Sequence, residues 1–240
     1  MNSKYFLSTK SFKENNFSVV RNFIPREKAI FLYEYTKMFT NAVNFKKEKY
    51  FEKWDSEWDG NWDCTQTPGT FSKYGDSIMD TLGLWTLKDV ENYTGHQLDF
   101  TYSYWRLYEK NDVLEYHKDR KSCDISATLC LGWNSQNLED QNYCWSFYIE
   151  KTNGEKIGIN LNPGDAIFYK GCELFHWRNR CEALNHGQVF LHYNNKNSTQ
   201  IKNDKNPGDG SYLDGRIFPG TPKRYQRDEF MGGLYEWHQN

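Results

Sequence analysis

Asn162-Pro163-Gly164-Asp165-Ala166-Ile167-Phe168-Tyr169, continued by Lys170-Gly171-Cys172-Glu173-Leu174-Phe175-His176, decides how the chain is read. A Pro-Gly-Asp turn opens a short apolar run of strand character, and a histidine follows a second break. Working outward, the same texture repeats. Phe100–Tyr108, Asp124–Trp133, Cys144–Glu150, Lys156–Leu161, Ala166–Tyr169 and Val189–Tyr193 are expected strands, with Asn153-Gly154 as a further turn. Many short strands at such spacing predict a sandwich or barrel.

Upstream the period changes. Residues 25–40 are expected to form an amphipathic helix, with Pro25 in its first turn and Phe31, Leu32, Tyr35, Met38 and Phe39 on one face. A second helix is expected over 76–94, with Ile78, Leu82 and Trp85 on one side and Gly95 as its stop. Between them, 48–75 carries Trp54, Trp58 and Trp62 among acids, Gly and Pro and reads as an irregular loop. Residues 194–240, rich in Asn, Gly, Lys and Pro, read as a long excursion over the surface. The simplest parse is a single domain: 1–97 as helical support and Trp-rich loop, 98–193 as β core, and 194–240 as a C-terminal extension.

Composition narrows the function classes. The 240 residues carry 30 Lys and Arg against 32 Asp and Glu, a net charge of −2, and the pI is near 6.3. Specific nucleic-acid binding is not expected from that balance. A mean hydropathy of −0.91 and the lack of a long apolar run argue against a membrane helix. No apolar segment followed by small residues stands at the start, so a cytoplasmic location is expected. Aromatic residues make up 18% of the chain, which favours a packed fold despite the polarity. The six cysteines include no C-x-x-C pair, and they are expected as reduced thiols, mostly buried in strands.

Phosphate-binding glycine loops, H-E-x-x-H and G-x-S-x-G are all absent. What remains is His117-Lys118-Asp119 early in the β region and His176 late in it. Two imidazoles and one carboxylate can hold an ion on one face and leave the other positions open, the facial triad of non-haem Fe(II) oxygenases. In a chain with six histidines, a His-x-Asp match arises by chance too readily to count alone. Its context carries the weight: a strand and polar turn before it, successive strands after it, then the Pro-Gly-Asp turn, His176 and one more strand.

In that order and spacing, residues 98–193 resemble the Fe(II)/2-oxoglutarate-dependent oxygenases of the prolyl-hydroxylase-like branch. The resemblance implies a mainly β fold with N-terminal helices, the cupin-like double-stranded β-helix or jelly roll, with His117, Asp119 and His176 as metal ligands. It implies Fe(II), 2-oxoglutarate and O2, with ascorbate as an optional accessory. The implied activity is hydroxylation of an amino-acid or peptidyl substrate, prolyl included, with release of succinate and CO2. The alternatives are a dioxygenase acting on a nucleobase and a non-catalytic jelly-roll binding module.

One departure matters. Members of the family usually carry an Arg or Lys about ten residues beyond the distal histidine to hold the far carboxylate of 2-oxoglutarate. Here that place belongs to His186, with Gln188 next on the same face, and neither is a permanent cation. Arg178 is the alternative: two residues after His176 on an extended chain, it points to the same side. Tyr108 and Thr128 are expected to line the co-substrate pocket. Trp133, Trp145 and Trp177 are candidates for a substrate cleft, whereas Arg120 and Lys121 read as solvated charges. No membrane contact is expected, and the oligomeric state stays open.

Overall fold

The strand over residues 98–109 shows why the chain builds two layers. Almost every side chain along it is buried, so it must be covered on both faces. The computed structural model describes residues 3–51, 54–120, 123–134 and 143–197, with the backbone alone for 3–8 and 57. In chain order the elements are α1 (Ser3–Asn15), β1 (Phe17–Val20), α2 (Arg26–Lys49), α3 (Ser56–Asp59), β2 (Phe71–Tyr74), α4 (Ser77–Thr94) and β3 (Leu98–Glu109). They continue as β4 (Leu114–His117), β5 (Ile125–Asn134), β6 (Phe147–Glu150), β7 (Lys156–Ile159), β8 (Ala166–Tyr169), β9 (His176–Arg178) and β10 (Asn185–Asn195).

The strands form two antiparallel sheets. The larger runs β1-β8-β5-β10-β3-β2 and the smaller β4-β9-β6-β7. From β3 onward the chain crosses from one sheet to the other at every step except the β6–β7 hairpin, which is the winding of a jelly roll. The helices cover the outer face of the large sheet, and the main core cluster lies between them. Two smaller clusters fill the space between the sheets.

Register across β3, β10 and β5 sets four rungs on the inner face of the large sheet. They are Tyr102–His192–Ser126, Tyr104–Phe190–Thr128, Arg106–Gln188–Cys130 and Tyr108–His186–Trp133. Period-2 alternation sends all of these side chains inward. The barrel interior is therefore graded from one mouth to the other.

Both long helices form where expected, with corrections to their faces. The α2 helix runs to Lys49 rather than residue 40, because no Gly or Pro interrupts it and its last turn carries Lys46, Lys47 and Lys49, favourable at a helix C-terminus. Its buried stripe is Ala29, Leu32, Tyr33, Thr36, Thr40 and Val43, while Phe31 and Met38 are exposed. Close approach explains that choice. A Cβ on Gly132 would lie 3.0 Å from the Tyr33 ring and one on Gly187 2.8 Å from it, so α2 seats that ring over glycines of β5 and β10. On α4, Asp76 caps the N-terminus by accepting from Ile78 and Met79 N–H, and Gly95 ends it in the left-handed region. Leu82 is buried there, but Ile78 and Trp85 are exposed, and Met79, Val90 and Tyr93 fill the inner face instead.

The 48–75 segment is more ordered than a loop, since it contains α3 and β2. Among the described residues the cysteines are free, but only Cys123, Cys130 and Cys181 are buried and only Cys130 sits in a strand. Most of the 194–240 extension lies outside the described residues. Among those described, no helix is long and apolar enough to cross a membrane.

Candidate metal centre

His117 ends β4 and His176 begins β9, and the two are directly paired across these strands. Their ring centroids are 4.3 Å apart. Asp119 follows two residues after β4, and its N–H is held by the Gly171 carbonyl at 2.9 Å. Its Oδ1 lies 3.7 Å from His117 Nε2 and 3.4 Å from His176 Nε2. The ligand-type atoms of the three residues fall within 4.8 Å of one another.

The outer bonds of this triad set its chemistry. His117 Nδ1 lies 2.6 Å from the Glu115 carbonyl and His176 Nδ1 3.0 Å from that of Leu174. A carbonyl only accepts, so each Nδ1 carries the proton and each Nε2 offers its lone pair to the space beside Asp119. Burial and the neighbouring His176 push the His117 pKa down to about 4, so the ring is neutral at physiological pH. Burial works against ionisation of Asp119, but His176 and the Ser126 hydroxyl outweigh it and hold the carboxyl well below its usual range. Neutral imidazoles and an ionised carboxylate are the forms that bind a divalent cation.

A relay supports the carboxylate. Ser126 Oγ donates to Asp119 Oδ2 at 2.6 Å. Its single proton being spent there, Ser126 accepts from His192 Nδ1 at 3.0 Å. Oδ1 is left facing the two histidines. The donor set, its protonation and its outer bonds therefore fit a hard-to-borderline divalent ion such as Fe(II).

A cavity of about 320 Å³ opens beside the triad. Tyr102, Tyr104 and Phe190 from the first two rungs form one wall, with Cys64, Gln66 and Tyr74 from the 48–75 segment above them. Arg106 closes its inner side and is 3% exposed. The Arg106 guanidinium donates to Gln66 Oε1 at 2.8 Å, to Cys64 Sγ at 3.0 Å and to the Tyr108 hydroxyl at 3.3 Å. Its Nε has no partner. Burial raises the pKa of the Cys64 thiol, but the Arg106 charge and nearby hydrogen bonds more than offset this and leave it lowered.

The expected co-substrate residues lie deeper, and none of them lines this cavity. Arg178 shares the inner face of β9 with His176, as the extended chain requires, yet its guanidinium donates to the Trp145 carbonyl at 2.5 Å and to Gln188 Oε1 at 3.2 Å. His186 Nε2 bonds the same Gln188 oxygen at 3.1 Å. Tyr108 packs edge-on against Trp145, and Thr128 hydrogen-bonds the Tyr169 hydroxyl at 3.2 Å. Arg178 Nε, His186 Nδ1 and Gln188 Nε2 are buried without partners.

Trp133 and Trp145 pack around His186 rather than framing a cleft, and Trp177 stacks on Tyr148. Arg120 is exposed, as a solvated charge would be, and also lines the rim of the cavity, while Lys121 is outside the described residues. Arg106 and Arg120 were not legible as site residues from spacing. For Arg106 a signal existed: a cation on the inward face of an otherwise apolar and aromatic strand needs a reason.

No family model matches the sequence, and no curated protein matches it. Solved structures match the fold. A prolyl-4-hydroxylase from Pseudomonas putida is 14% identical, with 80% of this chain and 99% of that one covered at a TM-score of 0.52. EctD from S. alaskensis with bound Fe is 12% identical over 81% of this chain and 79% of that one, at 0.57. HygX from Streptomyces hygroscopicus with nickel and 2-oxoglutarate bound is 13% identical over 83% and 89%, at 0.51. Identities this low speak for the fold rather than for a shared substrate. With its alternating two-sheet winding and its His, Asp and His at one mouth, the chain has the jelly-roll fold of the Fe(II)/2-oxoglutarate oxygenases.

Proposed function

We propose that the protein is an Fe(II)- and 2-oxoglutarate-dependent dioxygenase that hydroxylates an amino-acid or peptidyl substrate. The observation that carries this reading is the triad itself. Two Nε2 lone pairs and one carboxylate oxygen converge, with both Nδ1 protons committed to backbone carbonyls. When bound there by His117, Asp119 and His176, iron together with 2-oxoglutarate and O2 would supply the oxidising power for C–H hydroxylation, with succinate and CO2 as co-products.

The chain's own residues supply position and shielding. Ser126, backed by His192, holds Asp119 Oδ2 and so orients Oδ1. Arg106 is the buried cation facing the cavity, and its forked N–H groups suit the far carboxylate of 2-oxoglutarate. Arg178, behind Gln188 in the same rung, fixes that layer from the opposite sheet. The rings of Tyr102, Tyr104 and Phe190 keep water from the reacting groups. Comparison supports the reading at the level of fold: EctD was solved with bound Fe and HygX with nickel and 2-oxoglutarate.

The test is conversion of 2-oxoglutarate to succinate by the purified chain with Fe(II) under air. Activity that is lost in Asp119→Ala and His176→Ala supports the assignment. Turnover that persists in either variant overturns it, and a wild-type chain that binds no 2-oxoglutarate leaves a binding module as the better reading.

A further inference from the structure

Resting on the oxygenase reading, we infer that Cys64 is an oxidative modification site: hydrogen peroxide converts its thiolate to a sulfenate, which holds Arg106 and so competes with 2-oxoglutarate for it. Local backbone geometry surrounds the sulfur first. Thr67 N–H donates to the Cys64 carbonyl at 3.1 Å, which closes a tight turn over residues 64–67. Cys64 is its first residue, a place usually taken by Asp, Asn or Ser, whose side-chain acceptor meets the N–H two residues on. Here the sulfur takes that role and accepts the Gln66 N–H. The Thr67 hydroxyl, 2% exposed, lies against the same sulfur and has no other partner.

Tertiary packing adds the charge. Arg106, on the third rung, donates to Cys64 Sγ at 3.0 Å, and Tyr104, two residues before it on the same inner face, brings its hydroxyl to the same atom. Four donors thus converge on one sulfur. A neutral thiol is a weak acceptor with a hydrogen of its own to place, whereas a thiolate only accepts. The Arg106 charge and these bonds outweigh burial and hold the Cys64 thiol below its usual range. Elsewhere in the chain burial prevails, pushing Cys130 and Cys172 up to about 12 and raising Cys123 and Cys181 as well.

Cys64 is half-buried and lines the cavity, so a molecule as small as peroxide reaches it. The thiolate attacks one peroxide oxygen, and the S–O bond forms as the O–O bond breaks. The departing hydroxide takes the proton carried on the transferred oxygen, leaving sulfenate and water; sulfur loses two electrons and peroxide gains them. The new anionic oxygen finds its donors already in place. An N–H···O⁻ bond to a guanidinium closes to about 2.8 Å and is stronger than a bond to soft sulfur, while Gln66 Oε1 holds Arg106 at 2.8 Å alongside it. The far carboxylate of 2-oxoglutarate must displace the Cys64 side chain to reach Arg106, and a sulfenate is harder to displace. Linkage makes the effect reciprocal, so bound 2-oxoglutarate protects Cys64.

The experiment uses the full chain loaded with Zn(II), so that peroxide meets no redox-active ion. The chain is treated with hydrogen peroxide, the excess is removed with catalase, and sulfenate at each cysteine is read by dimedone labelling and peptide mass spectrometry. Calorimetry then measures 2-oxoglutarate binding to treated and untreated chains. Cys64 is expected to label faster than the exposed Cys144, and more slowly when 2-oxoglutarate is added first. The oxidised chain should bind 2-oxoglutarate about tenfold more weakly, the scale of one charge-assisted hydrogen bond, and dithiothreitol should restore the affinity. In Cys64→Ser, peroxide treatment should leave 2-oxoglutarate affinity unchanged. Labelling of Cys144 as fast as Cys64, full affinity in a chain whose Cys64 is oxidised, or an equal loss of affinity in treated Cys64→Ser overturns the inference alone. An untreated chain that binds no 2-oxoglutarate removes the oxygenase reading, and this inference with it.

Discussion

Replacing Gly171 by alanine strikes the metal centre without touching any ligand. The Gly171 carbonyl anchors the Asp119 N–H, and its Cα faces the carboxylate. An added Cβ would stand 2.2 Å from Asp119 Oδ2, 2.5 Å from Ser126 Oγ and 2.9 Å from the Cys123 carbonyl oxygen. Its φ lies outside the left-handed region, so the backbone itself accepts alanine and the strain is one of space. None of the three atoms is the far end of a flexible chain. The carboxylate must retreat by about 1 Å to restore ordinary contact, whereas metal-ligand distances tolerate only about 0.2 Å. The unloaded protein should lose about 2 kcal/mol, the usual scale for overpacking, and about 6 °C in Tm for a chain of this size. Affinity for a divalent ion should fall about 100-fold, because the carboxylate and the Ser126 bond that orients it both move. Thermal unfolding with and without Mn(II), beside a calorimetric titration of Mn(II), measures the two effects separately. Adding Ser126→Ala removes one clash and should recover part of the stability. A Gly171→Ala chain that binds Mn(II) like the wild type would refute the geometry from which the site is built.

Further outcomes follow from the same interior. Arg106→Ala should raise the KM for 2-oxoglutarate more than about tenfold, a loss on the order of 2–5 kcal/mol for a buried charge contact; a larger effect from Arg178→Ala, with Arg106→Ala unchanged, transfers the role to the deeper arginine. Cys64 should react with iodoacetamide at neutral pH faster than the exposed Cys144, and 2-oxoglutarate should slow it by taking its Arg106 partner; equal rates, unaffected by 2-oxoglutarate, contradict the contact. Burial, with Arg178 beside it, pushes His186 down to about 3. Between that value and the ordinary histidine range the unfolded chain binds the extra proton, so stability is present above pH 6.5 and is lost as pH falls. Relative to His186→Gln, the wild type should lose about 1.5 kcal/mol between pH 6.5 and pH 5, and parallel unfolding curves across that window would show that the ring is not held neutral.

Turns and caps made the scaffold readable. Ala166–Tyr169 appears within the bounds expected because a Pro-Gly-Asp turn starts it and Gly171 lies just beyond, and α4 ends at Gly95 for a similar reason. The strands that carry the ligands were harder: β4 and β9 are four and three residues long, too short for alternation to show. The end of α2 was misjudged because nothing in its sequence breaks it; tertiary contact, not propensity, selected its buried stripe. His117, Asp119 and His176 could be nominated from order and spacing, and the chain brings them together. Which cation faces the cavity could not be read that way. Arg106 and Arg178 come from opposite sheets, and only the folded chain shows that Arg106 lines the cavity while Arg178 is bound to Gln188, the β10 partner of Arg106, away from it.

The pairing of His117 with His176 also bears on what holds the barrel mouth shut. β4 is the edge strand of the small sheet, paired with β9 and held on its other side by one long backbone bond from Glu115 N–H to the Gln66 carbonyl at 3.3 Å, and its ladder is irregular between Leu114 and His117. Backbone bonds at such an edge open at low cost, so this corner is the first part of the barrel to breathe. An ion gripped by both histidines and Asp119 would act as a clasp, fastening the last residue of β4 to the first of β9 and shortening the free loop between them. Loading would then tighten the scaffold as well as arm it: amide exchange at Glu115 and Tyr116 should slow far more than in the middle of β5 or β10. The protein would register the presence of its metal first as a change in the mobility of one strand.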